Sequence, residues 1–252
     1  MTKIQLIVFD MAGTTVRDDN EVLHCFSQAA AETGLVAPPE AVNGMMGWPK
    51  RRVFEALWAD QLGPHHPDYG ARVEASYQDF RTILEDHYRH QPVVPTEGCL
   101  ALFDWLRSRS IAIALTTGFY REVTDIILQR LGWDRGLNQD YVGSPQSTIQ
   151  VSVTPSEIYA NEGRPAPFMI QKAMYRLGLD HPQAVITLGD TPADLAAGRH
   201  AGCRYSCGVT NGTHSAAQLA HYPQDGLFRN LEEFQSKLAH WLAQEDGAES
   251  HG

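Results

Sequence analysis

Asp10 closes a short apolar run, Ile4-Gln5-Leu6-Ile7-Val8-Phe9, and is followed at once by Met11-Ala12-Gly13-Thr14-Thr15. A carboxylate at the end of a buried strand, ahead of a glycine turn, stands where open α/β sheets bind their ligands. Such a group can attack an electrophile or hold a cation. Two residues on stands Ala12, which can neither give nor take a proton. Whatever Asp10 attacks, its leaving group needs activation from elsewhere, and Lys50 is the best candidate.

Two further apolar runs end in small polar or acidic residues. Ile111–Leu115 leads into Thr116-Thr117-Gly118, and Ala184–Leu188 leads into Gly189-Asp190-Thr191. Singly these are ordinary: an aspartate after a strand is often a helix cap, and Thr-Gly an ordinary turn. At three strand ends of one sheet they would converge on one point. Asp10 and Asp190 could share a hard cation such as Mg²⁺, completed by a backbone carbonyl and a phosphate oxygen. Asp194, one helical turn later, suits either the cation's water shell or a cap on its own helix. The Thr117 hydroxyl and the Gly118 amide suit a phosphoryl oxygen at the start of the helix that follows. Arg164, in the turn Asn161–Pro165, could balance the charge of Asp10 and a bound phosphate, although an isolated arginine is usually a surface residue.

The elements that must position these groups follow from periodicity. The spacing predicts helices over Glu21–Thr33, Lys50–Leu62 and Tyr69–Arg89, with no strand between them. Pro92 and Pro95 then mark a boundary. Helices over Glu97–Arg107, Arg121–Leu131, Pro167–Leu177, Ala193–Ala201 and Leu231–Leu242 alternate with the apolar runs and with a strand over Arg204–Val209. Gln139–Val142 reads as a weak strand. Ser144–Glu162 reads as a long loop with a hairpin at Ile149–Val153, and 243–252 as a frayed end. Buried strands alternating with helices imply an α/β fold with a doubly wound parallel sheet. The expected division is a core of residues 1–17 and 96–252 with an inserted α-helical cap domain of residues 18–95. A cap there would act as a lid.

The chain has 252 residues and a net charge of −10 with no basic block. This argues against nucleic acid or an anionic membrane as partner, yet leaves room for a small anionic substrate in a locally positive site. No apolar run is long enough to span a bilayer. Cys25, Cys99, Cys203 and Cys207 suit neither a disulfide framework nor a zinc site, and read as free thiols in a reducing cytosol. The N-terminus shows no signal peptide. A cytoplasmic protein is the expectation.

In order and spacing these residues resemble the haloacid dehalogenase superfamily, and more narrowly its phosphonoacetaldehyde hydrolase (phosphonatase) branch. Most members of the superfamily carry a second aspartate where Ala12 stands. The phosphonatase branch has Asp-x-Ala-Gly-Thr, here Asp10–Thr14, and Gly-Arg-Pro, here Gly163–Pro165. The fourth motif, Gly-Asp-Thr-x-x-Asp, stands at Gly189–Asp194. The branch also has a cap lysine shortly after Met-Gly, here Met46-Gly47-Trp48-Pro49-Lys50.

The resemblance implies a Rossmann-like core, a Mg²⁺ held by Asp10, Ala12, Asp190 and Asp194, and catalysis by Asp10, Lys50, Thr117 and Arg164. It also implies a substrate pocket drawn from Ala12, Gly13, Met46, Thr116 and Gly118. The chemistry fits the departures. Breaking a C–P bond expels a carbanion that a general acid rescues poorly, whereas a lysine iminium accepts the electron pair. Lys50 must then be neutral, through burial or through its neighbours Arg51 and Arg52. The expected substrate is phosphonoacetaldehyde or a related 2-oxoalkylphosphonate. The alternatives are a phosphatase or phosphomutase acting on a small phosphate monoester, or a phosphate-binding module without turnover. A homodimer through the cap is a further expectation, with Val22, Phe26, Ala29 and Ala30 packing either inside the cap or against a second subunit.

The chain also departs from that branch. Val53 stands where it has a histidine thought to move protons around the imine, and Phe119 where it has a tyrosine. The segment Arg17-Asp18-Asp19-Asn20 differs too. His24 and Cys25 are the nearby candidates for a proton shuttle.

Overall fold

The computed structural model describes residues 2–249. Six parallel strands form one sheet in the order β3-β2-β1-β4-β5-β6: β1 Leu6–Asp10, β2 Ala112–Thr116, β3 Val151–Val153, β4 Val185–Gly189, β5 Tyr205–Val209 and β6 Gly226–Phe228. β1 is buried along its whole length, as its unbroken apolar run requires of a strand covered on both faces. Helices α5 (Cys99–Arg107), α6 (Arg121–Leu131), α7 (Phe168–Arg176), α8 (Pro192–His200) and α10 (Leu231–Glu249) lie between or after the strands in the chain.

The register sets the site. Asp10 pairs with Thr116, and Phe9 pairs with Leu188, so Gly189-Asp190 emerges beside Asp10. The chain winds away from β1 in both directions, which makes the β1/β4 edge the topological switch point.

Between β1 and α5 come α1 (Glu21–Thr33), α2 (Pro39–Gly44), α3 (Lys50–Leu62) and α4 (Tyr69–His90). Aromatic packing joins them. Phe26 of α1 stacks on Phe54 of α3 at 4.2 Å, and both meet Phe80 of α4. Trp58 donates its indole N–H to Ser76 Oγ at 2.9 Å. Val22, Phe26, Ala29 and Ala30 are all buried inside the chain, so this face of α1 is used within the helical unit. No helix among the described residues is long and apolar enough to cross a membrane.

Several expectations are corrected. Gln139–Val142 is a turn, joined to β3 by an isolated antiparallel bridge from Val142 to Val151. Val151–Val153 is not a hairpin but a parallel strand beside β2, and two 3-10 turns, Pro155–Glu157 and Tyr159–Asn161, follow it. The polar Ser152 hides this strand in the sequence; its hydroxyl accepts from Arg121 Nη1 at 3.1 Å. The short elements α2, α9 (Ala216–Leu219) and β6 were not anticipated. The expected frayed end is helical as far as Glu249, and residues 250–252 lie outside the described residues.

Candidate active site

Two close approaches seat the strand ends against one another and against the inserted helices. Gly13 has φ +87°, and a Cβ there would run into the Asp190 carboxylate. Glycine lets the turn after β1 fold onto β4. Gly118, after β2, lies under the loop that leads into α3: a Cβ would meet Trp48 O at 2.6 Å and Gly47 O at 2.9 Å. The segment Met46–Lys50 is thereby pressed onto the sheet's carboxyl edge.

Beneath it is a chamber of about 30 Å³, lined by Asp10, Ala12, Met46, Lys50, Thr117, Gly118 and Arg164 among others. A larger cavity of about 380 Å³, which shares Lys50 and Gly118 with it, opens alongside between Arg51, Tyr77, Arg81 and Tyr120.

Asp10 is buried, and its Oδ1 lies 2.7 Å from Arg164 Nη1. Burial raises its carboxyl to about 6, Arg164 opposing the rise and Asp190 adding to it. Arg164 is itself buried and also pairs with Asp194. The pairing is close but poorly directed: Nε and Nη1 of Arg164 are buried with no hydrogen-bond partner. A buried guanidinium whose Nε–H is open is prepared for an anion that brings a further oxygen.

Asp10, Asp190 and Asp194 each bring an oxygen within 4.8 Å of the others, all three buried. Asp190 accepts from Thr14 Oγ1 at 3.2 Å and from Thr213 N–H at 2.6 Å. Asp194 caps its own helix and also faces the site. Its Oδ2 accepts from Thr191 N–H and Oγ1 at 3.0 and 2.6 Å in a capping box, while Oδ1 faces Arg164. Three buried carboxylates against one guanidinium leave negative charge uncompensated. An all-oxygen donor set of that kind fits a hard divalent cation.

Lys50 opens α3 and is 6% exposed. Burial, then the Arg164 charge, lowers its ammonium to about 8 against the pull of Asp10, Asp18 and Asp190. The neighbours Arg51 and Arg52 are not the cause. Arg51 turns away to Glu55 and Glu74, and Arg52 is exposed. Lys50 Nζ instead meets Met46 Sδ at 3.6 Å and lies 5.9 Å over the Phe119 ring. Both are weak partners that ask for no full positive charge.

Of the remaining expected residues, Thr117 lines the chamber, its Oγ1 accepting from Phe119 N–H at 3.1 Å. Ala12 presents a methyl group there. Gly13 and buried Thr116 stand behind the lining, while Asp190 and Asp194 join through the carboxylate cluster. The two proposed shuttles fail: His24 is exposed, and Cys25 is buried outside the lining, its thiol pushed up to about 11. Val53 is buried in the helical core. The lining also includes Asp18, Val22, Thr191 and Thr213, none of them anticipated. Only Thr213 left a usable signal, as Asn211-Gly212-Thr213 follows β5 at the same sheet edge.

Residues 4–202 match the model of the haloacid dehalogenase-like hydrolases. The chain belongs to that family. The matched stretch contains every anticipated site residue and stops short of Thr213. Within the family the chain sides with the phosphonatase-like branch. It is 30% identical over 221 residues to a phosphonoacetaldehyde hydrolase of Bacillus cereus, covering 84% of this chain and 77% of the relative. It is 29% identical over 224 residues to one of Bacteroides fragilis, with 86% and 80% covered. The fold matches a phosphonoacetaldehyde hydrolase-like protein of Oleispira antarctica with a TM-score of 0.75 at 16% identity, over 96% of this chain and 95% of that one.

Proposed function

We propose that the chain is a Mg²⁺-dependent phosphonatase-type hydrolase that cleaves the C–P bond of phosphonoacetaldehyde or a related 2-oxoalkylphosphonate, giving phosphate and an aldehyde. One observation carries the reading. A buried lysine with a lowered ammonium pKa lines the same small chamber as the strand-end aspartate, and an alanine stands two residues after that aspartate. An amine held near neutrality in a dry site is made for a carbonyl.

Lys50 condenses with the substrate carbonyl and gives an iminium. Asp10 attacks phosphorus, and the electron pair of the C–P bond flows into the iminium to form an enamine. Water then hydrolyses the aspartyl-phosphate, and hydrolysis of the imine releases the aldehyde. Arg164, with its unpartnered Nε, and Thr117 with the Gly118 amide receive the phosphoryl oxygens. Asp10, the Ala12 carbonyl, Asp190 and Asp194 would hold Mg²⁺, which when bound neutralises phosphoryl charge. Residues 18–95 act as a cap domain, and the Gly118 contact is its closed position. The larger cavity beside Lys50 is the way in.

The test is phosphate release from phosphonoacetaldehyde with Mg²⁺, beside Lys50→Ala and a panel of phosphate monoesters. Release that needs Lys50, with a borohydride-trapped adduct on Lys50 under turnover, is the expected result. Monoester turnover that survives Lys50→Ala, with no phosphonate cleavage, would make the chain a phosphatase instead.

A further inference from the structure

Cleavage through an enamine leaves a proton problem that the groups already assigned do not solve. The terminal enamine carbon must gain a proton before the aldehyde can leave, and the water that hydrolyses the resulting iminium must lose one. Four residues with ionisable side chains line the chamber: Asp10, Asp18, Lys50 and Arg164. Asp10 is spent on phosphorus and Lys50 on the carbonyl. Arg164 is engaged by Asp10 and Asp194. Ala12 carries no proton. Asp18 remains.

Its surroundings suit the task. Asp18 is half-buried just before α1, on the wall that also presents Val22. It lies outside the carboxylate cluster around Asp10. Asp18 and Glu21 stand three residues apart at the start of α1 and shift each other's acidity in opposite directions, and Glu21 Oε2 is buried without a partner. Two neighbouring carboxyls cannot both ionise freely, so their acidities separate. Burial, then the contact with Glu21, raises Asp18 to about 7, against the Val22 N–H, which donates to Asp18 Oδ1 at 3.3 Å. Burial pushes Glu21 up as well, but its hydrogen bonds with Asp18 and backbone amides outweigh this and hold it below the usual carboxylate range. The other titratable groups around the pair are Cys25 on α1, Lys50 on α3, and His87 and Tyr88 on α4. The Cys25 thiol and the Tyr88 phenol are both pushed up by burial, so neither competes for the proton near neutrality.

Resting on the C–P hydrolase reading, we infer that Asp18, backed by Glu21, is the acid–base group on the organic side of the chamber. As a carboxylic acid, Asp18 gives its proton to the terminal enamine carbon, which restores the iminium and leaves a carboxylate. The carboxylate then takes a proton from the water that adds to the iminium carbon, and the acid is regenerated. The carbinolamine collapses as its hydroxyl proton passes to nitrogen and the C–N bond breaks, freeing the aldehyde and neutral Lys50. No outside proton donor or acceptor is needed over the two steps.

The experiment uses full-length Asp18→Asn and Glu21→Gln with phosphonoacetaldehyde and Mg²⁺. Asp18→Asn is expected to release about one phosphate per enzyme in a burst and then slow by roughly 10²–10³-fold, the range a lost acid–base group costs. A two-carbon adduct should accumulate on Lys50, visible by mass spectrometry of the intact protein. In the wild type, kcat should fall as pH rises through about 7, where Asp18 loses its proton. Glu21→Gln removes the carboxyl that helps keep Asp18 protonated, so this limb should move to lower pH. Steady-state turnover of Asp18→Asn within twofold of wild type would overturn the inference. So would loss of both burst and adduct in a folded Asp18→Asn, or a kcat limb that Glu21→Gln leaves in place. Failure of the wild type to release phosphate from the phosphonate at all is a different result: it removes the C–P hydrolase reading, and the inference with it.

Discussion

On the proposed function, the chamber has a phosphoryl side at the strand ends and an organic side on helices packed over them. On the first side, Asp10, Asp190, Asp194 and Arg164 crowd together with hydrogen bonds from Thr14, Thr191 and Thr213. On the second, Lys50 touches a thioether and an aromatic ring. One side concentrates charge and the other starves it. Stabilising a phosphoryl transition state needs fixed charge, whereas a reactive amine needs its charge removed. A single chamber meets both needs because Arg164 serves each. Its positive charge opposes the rise of the Asp10 carboxyl and helps lower the Lys50 ammonium.

The sharpest way to break this contrast is to disable one side at a time. Asp10→Asn should abolish turnover of every substrate, a loss on the order of 10⁴-fold or more. Lys50→Met should abolish carbonyl phosphonate cleavage equally while gaining stability. The ordinary lysine value of 10.5 falls to about 8 in the fold. A lowered lysine pKa means that the unfolded chain binds the proton more tightly, so at pH 7 the folded state bears the cost, which fades as pH rises toward 10.5. Thermal or urea unfolding at pH 7 should show Lys50→Met more stable by up to ~3 kcal/mol, the gain shrinking at higher pH. Unchanged or lower stability would mean that Lys50 is comfortably placed and its pKa ordinary.

Arg164→Lys tests the group the two sides share. An ammonium keeps the charge but loses the planar, several-donor guanidinium and its buried Nε–H. Phosphate release should fall by about 10²–10³-fold, with weaker inhibition by inorganic phosphate. A loss below tenfold would make Arg164 a charge-balancing residue only.

How far each side was legible in the sequence follows the same division. The phosphoryl side could be read because it is local: an apolar run that ends in Asp10, Thr116-Thr117-Gly118 or Gly189-Asp190 states its own place at the sheet edge. Parallel register then brings those ends together. The organic side was legible at Lys50 through the missing acid at Ala12 together with resemblance, and at Met46 through resemblance alone. Asp18 and Val22 reach the chamber by packing, which no spacing encodes. His24 and Cys25 looked close to the site in sequence, yet the helical turn sends one to solvent and buries the other in α1. The β3 strand was obscured because it is three residues long with a polar centre.

A milder probe is pH. On the proposed mechanism the free enzyme needs the Lys50 amine, so kcat/KM should rise through about 8 and then level off. In the wild type kcat should lack the limb near 8, because Lys50 is already bound to substrate as an imine. A profile of kcat/KM that is flat between 6 and 9 would remove the link between burial and the reactive amine.

The smallest effect concerns Met46, whose sulfur meets Lys50 Nζ at 3.6 Å. Sulfur is a weak acceptor, so it can orient the amine without drawing it into the charged state. Met46→Leu keeps the volume and removes the acceptor, and such swaps seldom disturb packing by more than about 1.5 kcal/mol. The kcat/KM for a carbonyl phosphonate should drop only a few-fold, with the limb near 8 unmoved, and turnover of any phosphate monoester should not change. A shift of that limb would show that the thioether sets the basicity of Lys50 as well as its direction. The starving of charge on this side would then depend on Met46, and not on burial and Arg164 alone.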